Sequence, residues 1–418
     1  MKKINLFIVA AIAAFATVSC EKEVKPAAPM SPEQVEQKLS DVAVATLQEA
    51  DPDNWKDWGL SAINLYQDIQ KVDKDSKDFE YDSEKYAVKE TEEKKGNVTT
   101  ITQLMQLSLL KGDITVKDGQ FVLEESNNPV NLTIPSNGKT YKLQLESTGE
   151  SGNGIILSER TTTDEDKTVI KRRALLVPQK IAVHVTENGK MFLEGALFPV
   201  VEDKNNNGKL DEDDAIKGSA YIQTPDYSIT LNDLYVTQDS FTGSVELFHG
   251  NTSILSINAE VELEVMINNA VKALTKSETD FIPDDITGTI TLMGGQAIIK
   301  ADIDAGDLFN KKMSYTSEAD AKVVASAFNK NAKADLYFDN NPTIQASLVF
   351  SVQEDEENGR WNIIPGLHFY DGSADMTYTE FANSFMTNKE AASPLMGEFG
   401  SFMTKFKKYF GEYLPKEK

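Results

Sequence analysis

Oxygen-bearing side chains recur at every second position at the start of residues 203–214, which read DKNNNGKLDEDD. Side chains at this spacing can turn toward one centre, and calcium binds about six to eight hard oxygen ligands in a flexible cage. The glycine at the sixth position permits the sharp turn that such a loop needs. We therefore expect one calcium ion here. The predicted ligands are Asp203, Asn205, Asn207, the backbone carbonyl of Lys209, Asp211 and Asp214.

This ligand order resembles the calcium loop of the EF-hand superfamily, most closely the dockerin-like loops of bacterial extracellular proteins. The resemblance covers residues 203–214 only, and two features differ from the family pattern. Asp214 stands where the family has the longer Glu, and predicted strands at 192–200 and 219–222 flank the loop in place of helices. We therefore expect a structural calcium clip in a strand connection and not a sensor. An asparagine-rich turn without metal is the alternative.

The chain has one cysteine, Cys20, which ends a segment with the composition of an export signal. Lys2 and Lys3 precede an apolar run at 6–16, which is shorter than the roughly 20 residues of a membrane span. Residues 17–20 read TVSC and resemble the lipobox of bacterial lipoproteins of the Bacteroidota type. The resemblance implies cleavage before Cys20 and attachment of lipid to its sulfur. A plain secretory signal is the alternative.

These signals divide the chain into segments with different roles. The predicted segments are a signal peptide (1–19), a tether (20–30), a helical N-terminal segment with a charged loop (31–96) and a β-rich domain (97–418). The last is expected to be one domain or two related β-units, at about 97–275 and 276–418. Lipid on Cys20 predicts a cell-envelope protein anchored to a membrane, which is expected to be the outer membrane. The sequence does not decide between the periplasmic face and the cell-surface face of that membrane.

The formal net charge of −24 argues against nucleic acid as a partner. Proteins that bind nucleic acid carry basic patches and favour arginine. Four arginines occur in the whole sequence, at Arg160, Arg172, Arg173 and Arg360. We therefore expect no nucleic-acid binding.

Signals for catalysis are weak. The three histidines, His184, His249 and His368, fall in a predicted strand, a hairpin turn and an aromatic run. The sequence contains no GxSxG, HExxH, P-loop or dinucleotide-binding pattern. Whether the protein is an enzyme stays open, and a noncatalytic role is favoured.

Apolar spacing predicts helices at both ends of the exported chain. Residues 31–34 combine a serine N-cap, a proline and a capping-box glutamine. After a break at 51–53, Trp55 and Trp58 share the inner face of a second helix, either as core residues or as a platform for stacking sugars. Near the C-terminus, one helical side carries Phe399, Phe402, Met403, Phe406 and Phe410. This helix is expected to pack on a sheet, with a pocket lid and a membrane-lying helix as alternatives.

Between these ends the pattern is typical of antiparallel strands. Tight hairpin turns are predicted at Asp118-Gly119, Asn137-Gly138 and Asn188-Gly189. Residues 255–265 alternate apolar and polar side chains, which predicts a strand with one wet face. Residues 242–251 (TGSVELFHGN) and 287–296 (TGTITLMGGQ) resemble each other as strand-turn units. The expected fold class is α+β, mainly antiparallel β-sheet with amphipathic helices at the N- and C-termini.

Three functions are consistent with these features. The first is a noncatalytic envelope lipoprotein that binds or scaffolds a partner and is stabilised by one structural calcium ion. The second is a carrier of lipid or another apolar ligand. The third is a hydrolase acting on envelope polymers or glycans. The expected partners are the membrane, through lipid on Cys20, and an unidentified glycan, lipid or protein.

Overall fold

The computed structural model describes residues 26–75, 111–117, 120–150, 155–164, 167–175, 177–208, 210–211, 213–263, 283–308 and 310–413. Within these ranges the fold is α+β, with mainly antiparallel sheet and with helices near both ends, which confirms the expected class. No helix in these ranges is both long and apolar enough to span a membrane. Cys20, the first part of the tether, most of the charged loop, the Asp118-Gly119 turn and Lys209 lie outside the described residues.

The secondary-structure elements have the following bounds. The helices are α1 (Pro32–Glu49), α2 (Pro52–Asp75), α3 (Ala305–Leu308), α4 (Glu318–Asn331), α5 (Tyr378–Thr387) and α6 (Lys389–Phe410). The strands are β1 (Lys111–Lys117), β2 (Gln120–Ser136), β3 (Lys139–Glu150), β4 (Ile155–Asp164), β5 (Lys167–Leu175), β6 (Pro178–Glu187), β7 (Lys190–Glu202), β8 (Ala215–Gln223), β9 (Tyr227–Val236), β10 (Ser240–His249), β11 (Thr252–Leu263), β12 (Pro283–Leu292), β13 (Ala297–Asp304), β14 (Ser314–Tyr315), β15 (Ala332–Phe338), β16 (Ala346–Asp355), β17 (Arg360–Phe369) and β18 (Met376–Thr377).

The chain forms two compact units. The terminal unit comprises the described residues that fall within 1–54, 242–264 and 282–418. The central unit comprises the described residues that fall within 55–241.

In the terminal unit the strands run in the order β10-β11-β12-β13-β15-β16-β17-β14, with β18 beside β17. The predicted capping box at Ser31 and Gln34 begins α1, and Pro32 follows the cap. Helix α1 buries Val35 and Val42 in one cluster with Phe338 and Phe369 of the sheet. It also packs along α6, whose main helical partners are α1 and α5.

In the central unit the strands run in the order β1-β2-β3-β6-β7-β8-β9, while β4 and β5 form a separate two-stranded sheet. Helix α2 contacts the larger sheet through Trp58, whose indole N–H donates to the carbonyl of Phe192 at 2.8 Å. The ring of Trp58 stacks on Phe192 with centroids 5.6 Å apart. Trp58 therefore packs as a core residue, in agreement with the first of its two interpretations.

The described hairpin turns have the backbone that their sequence predicts. Asn137 and Gly138 have φ values of 47° and 74°, and Asn188 and Gly189 have 49° and 82°. These positive angles suit the right-handed twist of the flanking strands. The two similar segments at 242–251 and 287–296 each form the end of a strand and the following turn, in β10 and β12.

The inner face predicted for the C-terminal helix is wrong at its first residue, Phe399. The pattern placed Phe399 on the buried side of the C-terminal helix, but its ring is 48% exposed. Phe410 at the other end of α6 is 4% exposed and lies in the core. The helical period gives the direction of each side chain, whereas burial also needs a neighbour at that point along the helix.

Candidate calcium loop

Residues 203–214 connect β7 to β8, and the two residues that bound the loop, Glu202 and Ala215, are cross-strand partners. The loop therefore leaves and rejoins the sheet at one place. Asn206 (φ 56°) and Gly208 (φ 72°) adopt the left-handed backbone that reverses the chain. The segment is a strand connection, as its flanks predicted, and not the loop of a helix pair.

Asp203 and Asp214 organise the loop through its backbone. The Asp203 carboxylate accepts hydrogen bonds from the N–H groups of Asn207 at 3.0 Å and Gly208 at 2.6 Å. The Asp214 carboxylate accepts from the N–H groups of Lys204 at 2.9 Å and Asp211 at 2.8 Å. Asp214 is 1% exposed, so a charged side chain is held inside the connection by these bonds.

Asp211 is held by side-chain amides instead. The Nδ2 of Asn205 donates to both of its carboxylate oxygens, at 3.2 and 3.0 Å, and the Nδ2 of Asn207 donates to Oδ2 at 2.7 Å. Asn205 Oδ1 in turn accepts from the N–H of Asn207 at 3.1 Å. All five predicted ligand side chains thus contact one another or the adjoining backbone in one short segment.

Hydrogen bonding also sets the protonation of Asp211. The amides of Asn205 and Asn207 lower the pKa of Asp211, because both donate to its charged form. The carboxylate therefore stays ionised at pH values where an isolated aspartate, with a pKa of about 3.9, begins to bind a proton. At neutral pH the loop offers this negative charge to a cation.

An ion pair braces the base of the same hairpin. Lys217 Nζ lies 2.6 Å from Glu202 Oε1. Glu202 is the last residue of β7 and directly precedes the loop. The hydrogen bond to Glu202 raises the pKa of Lys217. The sequence analysis did not predict this pair, although Lys217 and Glu202 are close neighbours in the β7–β8 register.

The donor set fits calcium in its chemistry. Carboxylate and amide oxygens are the ligands that calcium prefers, and a carboxylate oxygen that accepts one N–H keeps a further lone pair. The described residues contain no group of three or more His, Cys, Asp or Glu side chains placed closely enough to hold a metal. In this arrangement the Nδ2 groups of Asn205 and Asn207 donate to Asp211, so the carboxylate oxygens of Asp211 face N–H donors. Lys209, the predicted carbonyl ligand, lies outside the described residues.

No protein-family model, curated protein or solved structure gives a significant match to this chain. What the loop can bind therefore follows from its own side chains.

The histidines lie apart from the loop ligands in ordinary polar contacts. In the terminal unit, His249 Nδ1 is 2.6 Å from Glu49 Oε2, and His368 Nδ1 is 2.7 Å from Asp375 Oδ1. In the central unit, His184 lies 3.9 Å from a carboxylate oxygen of Glu194. Each of these imidazoles faces a carboxylate, an arrangement that also occurs in purely structural contacts.

Proposed function

We propose that this protein is a noncatalytic lipoprotein of the bacterial cell envelope that binds or scaffolds a partner and carries one structural calcium ion in residues 203–214. The observation that carries the proposal is the hydrogen-bond network that joins the five predicted ligand side chains, directly or through the loop backbone, inside a single strand connection. The sequence around Cys20 supports attachment to a membrane, which we propose is the outer membrane. The partner is a glycan, a lipid or a protein.

In this proposal the ion acts as a clip and not as a reagent. Asp203, Asn205, Asn207, Asp211 and Asp214 would hold calcium, and its positive charge would offset the repulsion among the three carboxylates. The amide oxygen and nitrogen of an asparagine exchange places by a simple rotation, so Asn205 and Asn207 can offer oxygen to a cation. A loop fixed in this way would hold this end of the β7–β8 hairpin in one conformation for a partner.

Calcium is expected to stabilise the purified protein. A calorimetric titration should show one saturable site, and calcium at ten times the dissociation constant should raise the free energy of unfolding by about 1.4 kcal/mol. The variant Asp211→Asn should bind at least about tenfold more weakly, because a charged ligand is lost. The variant Asp213→Asn makes the same chemical change on an exposed neighbour outside the predicted ligand set, and it should bind like the wild type.

A titration up to about 10 mM calcium covers the affinities usual for extracellular calcium modules. If the titration shows no heat and the melting temperature does not shift in this range, the calcium clip is ruled out. Equal binding by the two variants would show that the ion lies elsewhere.

Lipid on Cys20 is expected to decide how the protein partitions. After expression in a bacterial host that processes lipoproteins, the wild type should enter the detergent-rich phase of a Triton X-114 separation. The variant Cys20→Ser should stay in the aqueous phase, since the acyl chains contribute about 0.8 kcal/mol for each buried CH₂ group. Mass spectrometry of the N-terminal peptide should show the acyl mass in the wild type alone. If the wild type and the Cys20→Ser variant partition equally into detergent, the predicted lipid anchor on Cys20 is wrong.

A further inference from the structure

The last residues of the predicted tether are bonded to the terminal unit. The N–H of Ala27 donates to Asn341 Oδ1 at 3.0 Å, and the carbonyl of Ala27 accepts from the Thr343 hydroxyl at 3.0 Å. The N–H of Met30 donates to Gln345 Oε1 at 2.7 Å. All three partner side chains belong to the connection between β15 and β16. The tether is therefore attached to this connection from Ala27 onward.

Buried contacts hold this attachment in place. Gln345 is 0% exposed, and its Nε2 donates to the carbonyl of Thr343 at 3.2 Å, which fixes the amide with its oxygen toward Met30. The side chain of Met30 packs on the cluster that contains Phe338 and Phe369. A buried polar group that loses its partner is costly. We therefore expect the segment to stay attached while the unit is folded.

A short piece of chain separates this attachment from the predicted lipid on Cys20. Residues 21–26 lie between Cys20 and Ala27. A fully extended chain spans at most about 3.6 Å per residue, so Cys20 lies no more than about 25 Å from Ala27. Strand β16 leads away from the attachment over 10 residues. That length corresponds to about 30 Å, so the turn between β16 and β17 lies beyond the reach of the anchor.

The anchor-proximal end of the sheet comprises the β12–β13 turn, the β15–β16 connection and Tyr370. The N–H of Asn340 donates to the carbonyl of Gly295 at 3.0 Å, which joins the turn to the connection. Tyr370 directly follows β17, and its hydroxyl lies 2.8 Å from the hydroxyl of Ser347 near the start of β16. Its ring is 44% exposed. Tyrosine has an apolar ring and a polar tip, and it is enriched where proteins meet the membrane–water interface.

The charges at the anchor-proximal end favour a neutral lipid surface. Asp339 pairs with Lys38 at 2.8 Å, which offsets its charge. Asp371 and Asp375 are also exposed beside Tyr370. Anionic lipids attract basic segments and repel acidic ones, so these carboxylates disfavour a strongly anionic leaflet.

We propose that the anchor-proximal end of the terminal unit lies against a neutral phospholipid surface. This inference rests on the lipid anchor of the proposed function and adds which surface of the protein faces the membrane. The attached tether sets the orientation, because it leaves a short reach between Ala27 and the lipid. Tyr370 then lies at the level of the lipid headgroups.

Fluorescent dyes at two positions test this orientation. The full-length protein with its native lipid is placed in phosphatidylcholine vesicles that contain a lipid with a nitroxide headgroup, which quenches nearby dyes. Cys20 is the only cysteine, and lipid on its sulfur leaves no thiol there, so a thiol-reactive dye labels only the variant Gln296→Cys or Glu357→Cys. Both positions are exposed, in the β12–β13 turn and in the β16–β17 turn. The dye at 296 should lose more than about half of its emission and the dye at 357 less than about a tenth, because about 30 Å separates the ends of β16.

A longer tether is the control for the role of the short chain. An insertion of about 20 glycine and serine residues after Glu23 adds a flexible segment with a root-mean-square length of about 25 Å, so quenching at 296 should fall by about half or more. Undiminished quenching would overturn the role of the tether in the proposal.

Flotation of the vesicles separates this inference from the proposed function. If the wild type does not float with the vesicles, the lipid anchor is wrong and this inference fails with it. If the protein floats but the dyes at 296 and 357 are quenched equally, the orientation alone is overturned.

Discussion

Replacing Phe338 by alanine is expected to lower the free energy of unfolding of the terminal unit by about 4 kcal/mol. The ring is 2% exposed and packs in one cluster with Val35 of α1 and Phe369 of β17. Two other members of this cluster are alanines, Ala297 and Ala346, which have no side chain long enough to fill the space. Urea denaturation followed by far-ultraviolet circular dichroism measures the loss.

Phe399→Ala is the matched control in the same unit. This ring is 48% exposed, so its removal should change the free energy of unfolding by no more than about 0.5 kcal/mol. Equal losses in the two variants would mean that the C-terminal helix buries Phe399, as its sequence pattern indicated. The pair therefore tests the packing of this unit as well as the size of one residue's contribution.

Local features of the fold could be predicted because each depends on a few adjacent residues. The Asn-Gly pairs at 137–138 and 188–189 specify their turns, since few residue types tolerate positive φ at both positions. The capping box at Ser31 and Gln34 fixes the start of α1 by two hydrogen bonds within one turn. The alternation at 255–263 predicts a strand, and in the structure apolar residues of this strand lie opposite apolar residues of β12, such as Ile257 opposite Ile290.

Pairings between strands that are distant in sequence could not be predicted in the same way. Strand β13 pairs with β15, although α3, β14 and α4 lie between them in the chain. Strand β3 pairs with β6 across the β4–β5 hairpin, which forms a separate sheet. Alternation shows which side of a strand is apolar, but several strands of similar pattern could be its neighbour.

The candidate site shows the same limit. Spacing alone identified the oxygen-bearing residues of 203–214, because ligand order is a property of the segment. It did not show that Asp214 is buried or that Asp211 accepts from two asparagine amides. The burial of Glu36, whose Oε1 has no hydrogen-bond partner among the described residues, was also not predicted, since it depends on α1 meeting Asn388 at the start of α6.

Replacing Asp214 by alanine is expected to lower the free energy of unfolding of the central unit by about 3 kcal/mol, even with a chelator present. The substitution leaves the N–H groups of Lys204 and Asp211 without their acceptor. Hydrogen bonds to a charged group contribute about 1.5–3 kcal/mol each, and Asp214 is 1% exposed, so water does little to replace them. Urea denaturation in EDTA measures this loss without any contribution from metal.

Asp213→Ala is the control for this change, because the side chain is exposed and adjacent in sequence, and it should cost less than about 0.5 kcal/mol.

Variants of Asp214 and Asp211 should then separate support of the loop backbone from binding of calcium. Asp214 supports the loop backbone whether or not calcium binds, whereas Asp211 contacts mainly the asparagine side chains. Asp211→Asn should therefore leave the stability in EDTA nearly unchanged and reduce the gain on adding calcium. If Asp214→Ala is harmless in EDTA, the loop has no fixed conformation without the ion, and calcium must organise it.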